Sequence, residues 1–404
     1  MNRKNRLFGF DMIKLSDRVQ RVQPSATIAI STRANELRAE GKDIINLGVG
    51  EPDFDTPAHI CAAAKEAIDN GQTRYTPVDG TKALKQAIID KFTRDNQLTY
   101  ALDEVMACVG AKQCIYNACQ ALLNDGDEVL IPAPYWVSYP DMVKLAGGVP
   151  VAIASTVDDH FKLTPARLEK AITPKTKMLI INSPSNPTGM MYSPEDLTAL
   201  AKVLVKHPNI VILTDDMYEH IHWQDHDFVN LLNIEPTLRD RTIVVNGVSK
   251  AYAMTGWRMG YMAAPAPLIK AMKKIQSQST SNTCSITQAA TVAALDGDQA
   301  CVAEMRNAFI KRHDLMYEGL ASIPGIKVLP SEGTFYIFPD FSEVIARLDG
   351  INDDVALAKL LLEKAEVAAV PGSAFGAPGC LRMSFATSEA QLKKALARIK
   401  AAVS

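Results

Sequence analysis

Residues 177–189 read KMLIINSPSNPTG. Met178 to Ile181 are apolar without interruption, and the run is too short for a helix. Continuous apolar runs of this length suit a strand buried on both faces, as in a parallel sheet. The run stops on Asn182 and opens into Ser, Pro, Asn, Thr and Gly, the residues of a loop. The same texture recurs outward from it. Val105–Val109, Glu128–Ile131, Ile210–Leu213 and Thr242–Val245 are short and apolar, most of them rich in valine and isoleucine. Helical spacing lies between several of them, at Gln113–Leu123 and Pro194–Lys206, and upstream at Pro57–Asn70 and Thr81–Asn96, where Leu84, Ile88 and Phe92 share a face. Strands alternating with helices predict parallel crossovers and an α/β sheet.

After about residue 300 the pattern changes. The spacing predicts a long helix over 299–323. Strand-like pieces come next at Ile326–Leu329, Thr334–Phe338, Val367–Val370 and Cys380–Ser384, with helices at 353–364 and 388–402. This reads as a smaller α+β body, joined by the lone strand Ile44–Leu47. The expected division is a large domain over 57–305 and a small one built from 1–56 and 306–404.

Composition bounds the function. The chain has 404 residues, enough for two domains and a sizeable core. Lys plus Arg is 43 and Asp plus Glu is 45, so a reader of phosphate backbones, which carries a basic field, is not expected. No apolar run approaches a membrane span, and the first residues lack the apolar core and cleavage site of a secretory signal. Seven cysteines stand singly, with no CxxC pair, which argues against a zinc ribbon or a disulfide framework. A reducing, cytoplasmic setting fits.

Open α/β sheets bind ligands at the carboxyl ends of their strands. The residues just past each apolar run are therefore informative: Gly110-Ala111-Lys112 opening a helix; Pro134-Tyr135-Trp136; Asn182 to Gly189 with Asn186; Asp215-Asp216-Met217-Tyr218; and Ser249-Lys250 with Arg258 beyond. A lysine at the end of a buried strand is by itself most often a loop lysine. Its companions change that. A desolvated lysine amine attacks carbonyls. A pyridine cofactor acting as electron sink needs an acid on its ring nitrogen, which Asp215 supplies. Tyr218 and Asn186 suit its ring oxygen and Trp136 its face. A helix start with Arg258 suits a phosphate.

These segments, NSPSNPTG, TDDMYEH and SKAYAMTGWRMGY, with GVGEPDFDTP upstream and CLRMSFA downstream, resemble the pyridoxal-phosphate aminotransferases of fold type I, within class I most nearly the prokaryotic aspartate aminotransferase subgroup. The resemblance covers the chain from about Pro24. It implies a large domain with a mostly parallel seven-stranded sheet and a smaller α+β domain. It implies that Lys250 holds the cofactor and then moves the proton. Asp215 is the acid on the ring nitrogen and Arg258 the phosphate arginine. Arg382 grips the substrate α-carboxylate, Asn186 and Trp136 contact the ring, and Gly50 lies beside the substrate. Gly110, Ala111, Lys112 and Ser249 belong to the cofactor set. Asp216 is the decoy, turned away by strand alternation. Tyr75, in GQTRYTP, matches a tyrosine that reaches the phosphate of a neighbouring subunit, which implies a homodimer with shared sites.

The same resemblance implies a ping-pong cycle through pyridoxamine phosphate, moving the amino group of L-aspartate to 2-oxoglutarate. The stretch Gln278–Thr283 lacks the arginine that another subgroup uses for the side-chain carboxylate, and Lys112 matches the lysine given that job here. The alternatives are a prephenate or aromatic aminotransferase and a β-lyase on the same cofactor. A transcription regulator of this fold would need a DNA-binding segment, and only about twenty residues precede the match. His220, His222, Asp225 and His226 read as a polar loop and not a metal cluster. Gly48 and Gly50 lack a third glycine for a dinucleotide loop. His160, His207 and His313 read as surface histidines, and the segment before Leu15 has no legible role.

Overall fold

The computed structural model describes residues 14–24 and 26–404. The segment ahead of Leu15, apart from Lys14, lies outside them.

Strand β1 is Ile45–Asn46. Seven further strands form the main sheet: β2 (Val105–Cys108), β3 (Glu128–Ala133), β4 (Val149–Ala154), β5 (Thr176–Asn182), β6 (Val211–Asp215), β7 (Thr242–Gly247) and β8 (Gly260–Ala263). Their order is β2-β8-β7-β6-β5-β3-β4, all parallel except β8, which runs antiparallel to both neighbours. Period-two alternation divides each strand between two cores. Leu179 and Ile181 of β5 join Ile212 and Val244 on one face; Met178 and Ile180 join Leu213, Ile243 and Val245 on the other. Helices cover both faces, which is why these strands read as unbroken apolar runs.

The helices have local causes. Pro194–Leu204 begins at a capping box: the Ser193 hydroxyl accepts the Asp196 N–H at 3.2 Å, and the Asp196 carboxylate accepts the Ser193 N–H at 3.0 Å. Pro194 at the first helical position loses no hydrogen bond. Lys82–Asn96 is capped by the Thr81 hydroxyl and ends on Gln97 in the left-handed region at φ 56°.

The second body holds β9 (Tyr336–Ile337), β10 (Val367–Ala368), β11 (Val370–Pro371) and β12 (Leu381–Ser384). β12 lies between β11 and β9, antiparallel to both, and β1 pairs in parallel with β10. The helix Ala300–Ala321 packs here through Met305, Phe309, Met316 and Leu320, against Phe335, Phe341 and Phe385. Two expectations need correction. Ile326–Leu329 is no strand; Lys327 makes only an isolated bridge to Asp340. His313 is not on the surface: it is 4% exposed, with Trp223 at 5.0 Å and Tyr317 stacked at 6.1 Å, because it sits on the inner face of the long helix. Among the described residues no helix is long and apolar enough to cross a membrane.

Candidate active site

Register places the chemistry. Asn182 lies opposite Asp215, and Asp215 opposite Val245, so β5, β6 and β7 end level on one rim. Above that rim is a cavity of ≈ 270 Å³. Its lining includes Gly50, Ala111, Lys112, Trp136, Asn186, Asp215, Tyr218, Ser249, Lys250, Arg258 and Arg382. Residues more than 300 positions apart are thus gathered by the sheet on one side and by β12 of the second body on the other.

Lys250 donates to the Gly50 carbonyl at 2.5 Å. Burial, then the charges of Arg382 and Arg258, bring its amine down to about 8. Asp215 is buried, and desolvation pushes its carboxyl up despite three groups that favour the ionised form: the Tyr139 hydroxyl at 2.6 Å, the Met217 N–H at 3.4 Å and the Lys250 charge. Asp216 points elsewhere, into a buried contact with the Asn230 amide at 2.6 Å. Asn182 braces the rim: its amide donates to the Asp215 carbonyl at 2.8 Å and its oxygen accepts the Asn186 N–H at 2.8 Å.

Arg382 is 2% exposed. It donates to the Asn186 side-chain oxygen at 3.1 Å and to the Gly48 carbonyl at 2.7 Å, and lies over the Tyr336 ring at 4.5 Å. Among the described residues its buried Nε has no hydrogen-bond partner. A buried guanidinium with an unspent donor is prepared for an anion.

At the opposite end, helix Ala111–Leu122 starts at Gly110, which has φ 77° and no side-chain cap for the first amides. A Cβ on Gly110 would lie 2.5 Å from Arg258 Nη2. The Arg258 guanidinium therefore sits against a bare helix N-terminus. Lys112 extends over the Trp136 ring, 4.9 Å from its centre. Tyr218 and Tyr336 share a hydrogen bond at 3.1 Å between their hydroxyls.

Known proteins share this fold. Residues 42–399 match the model of aminotransferase class I and II. The chain belongs to the class I and II aminotransferases. An aspartate/prephenate aminotransferase of Nitrosomonas europaea is 55% identical over 97% of this chain and 100% of that protein. The aspartate aminotransferase of Geobacillus stearothermophilus is 50% identical over 96% of this chain and 98% of its own length. The crystal structure of the aspartate aminotransferase from Rhizobium meliloti superposes with a TM-score of 0.94 at 49% identity, covering 97% of this chain and 99% of the other.

Aminotransferases of this family depend on pyridoxal phosphate. The residues here fit that group: an amine of lowered basicity, a buried carboxylate on the rim, an aromatic face, and an anion cradle built from a helix start and an arginine.

Two expected residues lie outside the cavity lining. Gly110 stands just behind Ala111. Tyr75 is 92% exposed and clear of this chain's own cavity. Asn182 and Thr255, both among the residues just past the apolar runs, line the cavity too, and so do Tyr139 and Tyr336, which sequence patterning does not single out. Tyr139 carries one legible signal, its position three residues after Trp136 at a helix start; Tyr336 carries none beyond lying in an aromatic run. The histidine loop has acidic partners that its sequence does not show: His220 meets Asp95 at 3.4 Å and Glu219 at 3.3 Å. Lys91 already neutralises that Glu219.

Proposed function

We propose that this chain is an aspartate aminotransferase, moving the amino group of L-aspartate to 2-oxoglutarate in two half-reactions. The observation that carries the reading is the convergence of Lys250, Asp215 and Arg382 on one cavity, with Lys112 across it. Pyridoxal phosphate, when bound, supplies an aldehyde that takes the amino group and a ring that accepts the electron pair left at the substrate Cα.

The chain's own groups do the rest. Lys250 holds the cofactor through its amine. With substrate in the cavity, the same amine would take the proton from Cα as general base. An amine brought down to about 8 exists in useful part as the free base near neutrality. Asp215 keeps a proton on the ring nitrogen. Tyr218 and Asn186 serve the ring oxygen, and Trp136 covers the ring face. The helix start at Gly110–Lys112, Ser249 and Arg258 hold the phosphate. Arg382 grips the α-carboxylate as a fork, beside Gly50, and Lys112 meets the side-chain carboxylate. Tyr75, exposed in this chain, reaches the cofactor phosphate of a second copy, which makes the working unit a homodimer with shared sites. Residues 57–305 form the body that holds the cofactor, and 1–56 with 306–404 close on the substrate. The setting is cytoplasmic.

A second acceptor, prephenate, is favoured by one observation: the relative from Nitrosomonas europaea is named for both substrates. The test is spectroscopic. The purified protein is loaded with pyridoxal phosphate, and its visible band is followed on adding L-aspartate and, separately, L-phenylalanine. Bleaching by aspartate and recovery with 2-oxoglutarate is the expected result. Bleaching by phenylalanine alone would overturn the aspartate assignment, and a protein that gains no band would overturn the whole reading.

A further inference from the structure

Tyr139 has no role in the proposed chemistry, yet it is 2% exposed and its hydroxyl lies 2.6 Å from Asp215 Oδ2. It is the first residue of the helix Tyr139–Leu145, and its N–H closes a turn on the Trp136 carbonyl at 3.0 Å. Its ring meets Trp136 edge-on, with centres 5.3 Å apart. One turn at the end of β3 thus delivers both the aromatic plate and a hydroxyl aimed at the acid beneath it.

Burial works against that acid. A carboxylate almost wholly removed from water, as Asp215 is at 6% exposure, is driven toward its neutral form. A neutral Asp215 would not hold a proton on a ring nitrogen. The titratable groups around it are Lys250, Tyr218, Asp216 and, from the helix Ala111–Leu122, Cys114. Of these only Lys250 is a cation, and its amine has to shed that charge before it can act as a base. Burial holds the Tyr139 phenol well above its usual range, so it remains a donor throughout. The other donor, Met217 N–H, is long at 3.4 Å.

We propose that Tyr139 is a positioning residue for the reaction: its hydroxyl fixes Asp215 Oδ2 and keeps that carboxylate ionised against the cofactor ring nitrogen. The inference rests on the reading of Asp215 as the ring-nitrogen acid. A hydrogen bond to an ionised carboxylate is worth about tenfold or more in an equilibrium.

The test compares Y139F, which keeps the ring, with Y139L, which loses ring and hydroxyl. Cofactor affinity is measured by equilibrium dialysis with pyridoxal phosphate and with its 1-deaza analogue, which has a C–H where the ring nitrogen stands. Y139F should weaken pyridoxal phosphate about tenfold and leave the deaza analogue unchanged. The acid limb of its kcat profile should move up by about one pH unit. Y139L should show the same selective loss on top of a general one. If Y139F matches wild type with both cofactors, or loses both equally, Tyr139 is packing alone and the inference is overturned. If the wild-type protein holds the deaza analogue as tightly as pyridoxal phosphate, the assignment of Asp215 fails, and this inference with it.

Discussion

The Lys250 amine donates to the Gly50 carbonyl at 2.5 Å, across 200 residues of sequence. The contact holds the end of one long side chain at the cavity floor and leaves one flank of the amine toward the cavity. On the proposed reading, Lys250→Ala removes both the attachment point and the proton carrier. The visible band of the loaded protein should not form, and transamination should fall by about 10²- to 10⁴-fold or more, the usual worth of a positioned general base. Borohydride treatment of the wild-type protein and then peptide mass spectrometry should find the cofactor on Lys250. Its recovery on another lysine would reject the assignment.

The same amine makes stability depend on pH. Its folded value is about 8 against an ordinary 10.5. In that interval the unfolded chain binds the proton that the folded chain has shed, so stability from this group rises as pH goes from about 8 to 10.5. Below about 8 the penalty for burying the charge is fully present. Urea unfolding of the cofactor-free protein at several pH values should show this gain. Lys250→Met should flatten it, and an equal slope in both proteins would refute the idea.

Arg382 spends two donors on Asn186 and Gly48 and keeps a buried Nε unpartnered. Lysine preserves the charge but not the planar fork. Arg382→Lys should lower kcat/KM by about 10²-fold for amino and oxo acids alike, chiefly through KM, because both carry the same carboxylate. Steady-state kinetics in both directions check this. A loss confined to one direction would contradict a common α-carboxylate site.

Much of this is legible in the sequence, for identifiable reasons. Strands β5, β6 and β7 are buried on both faces, and their unbroken apolar runs announce it. Strand β4, Val149-Pro-Val-Ala-Ile-Ala, is a sheet edge with half its residues wet, so no run stands out. β8 begins on Gly260, required because a Cβ there would lie 2.2 Å from the Ala111 amide, and a glycine start hides a strand. Asp215 is separable from Asp216 because strand alternation is rigid. Tyr139 and Tyr336 stay hidden because their importance lies in hydroxyl contacts made over 76 and 118 residues, which no local spacing encodes.

Beneath the rim, Lys91 is 1% exposed and bonds Glu219, with Asn96 at 2.7 Å; Glu219 also accepts the Asn96 and Asn246 amides at 2.6 and 2.8 Å. Together these pin the residue after Tyr218 to the end of β7. Lys91→Ala leaves a buried carboxylate without its cation, a change that costs about 3–5 kcal/mol. The double variant K91M/E219Q removes both charges and should recover much of that loss. Thermal and urea unfolding decide it; additive losses in the double variant would mean the pair does not act as a unit.

On the proposed reading, substrate choice turns on Lys112. It stands at a helix start, where a cation gains nothing from the helix dipole, and it spans the Trp136 ring to the cavity. A side-chain carboxylate on the substrate gives that charge a partner, whereas phenylalanine offers none. Lys112→Ala should therefore reduce kcat/KM for L-aspartate by about tenfold or more while leaving L-phenylalanine within about twofold, since a hydrogen-bonded charge pair at a partly open site is worth about 1.4 kcal/mol or somewhat more. Competition between the two donors in one assay measures the ratio directly. An equal loss for both would place Lys112 with Arg258 as a phosphate group, and the side-chain carboxylate would then need another partner in the cavity.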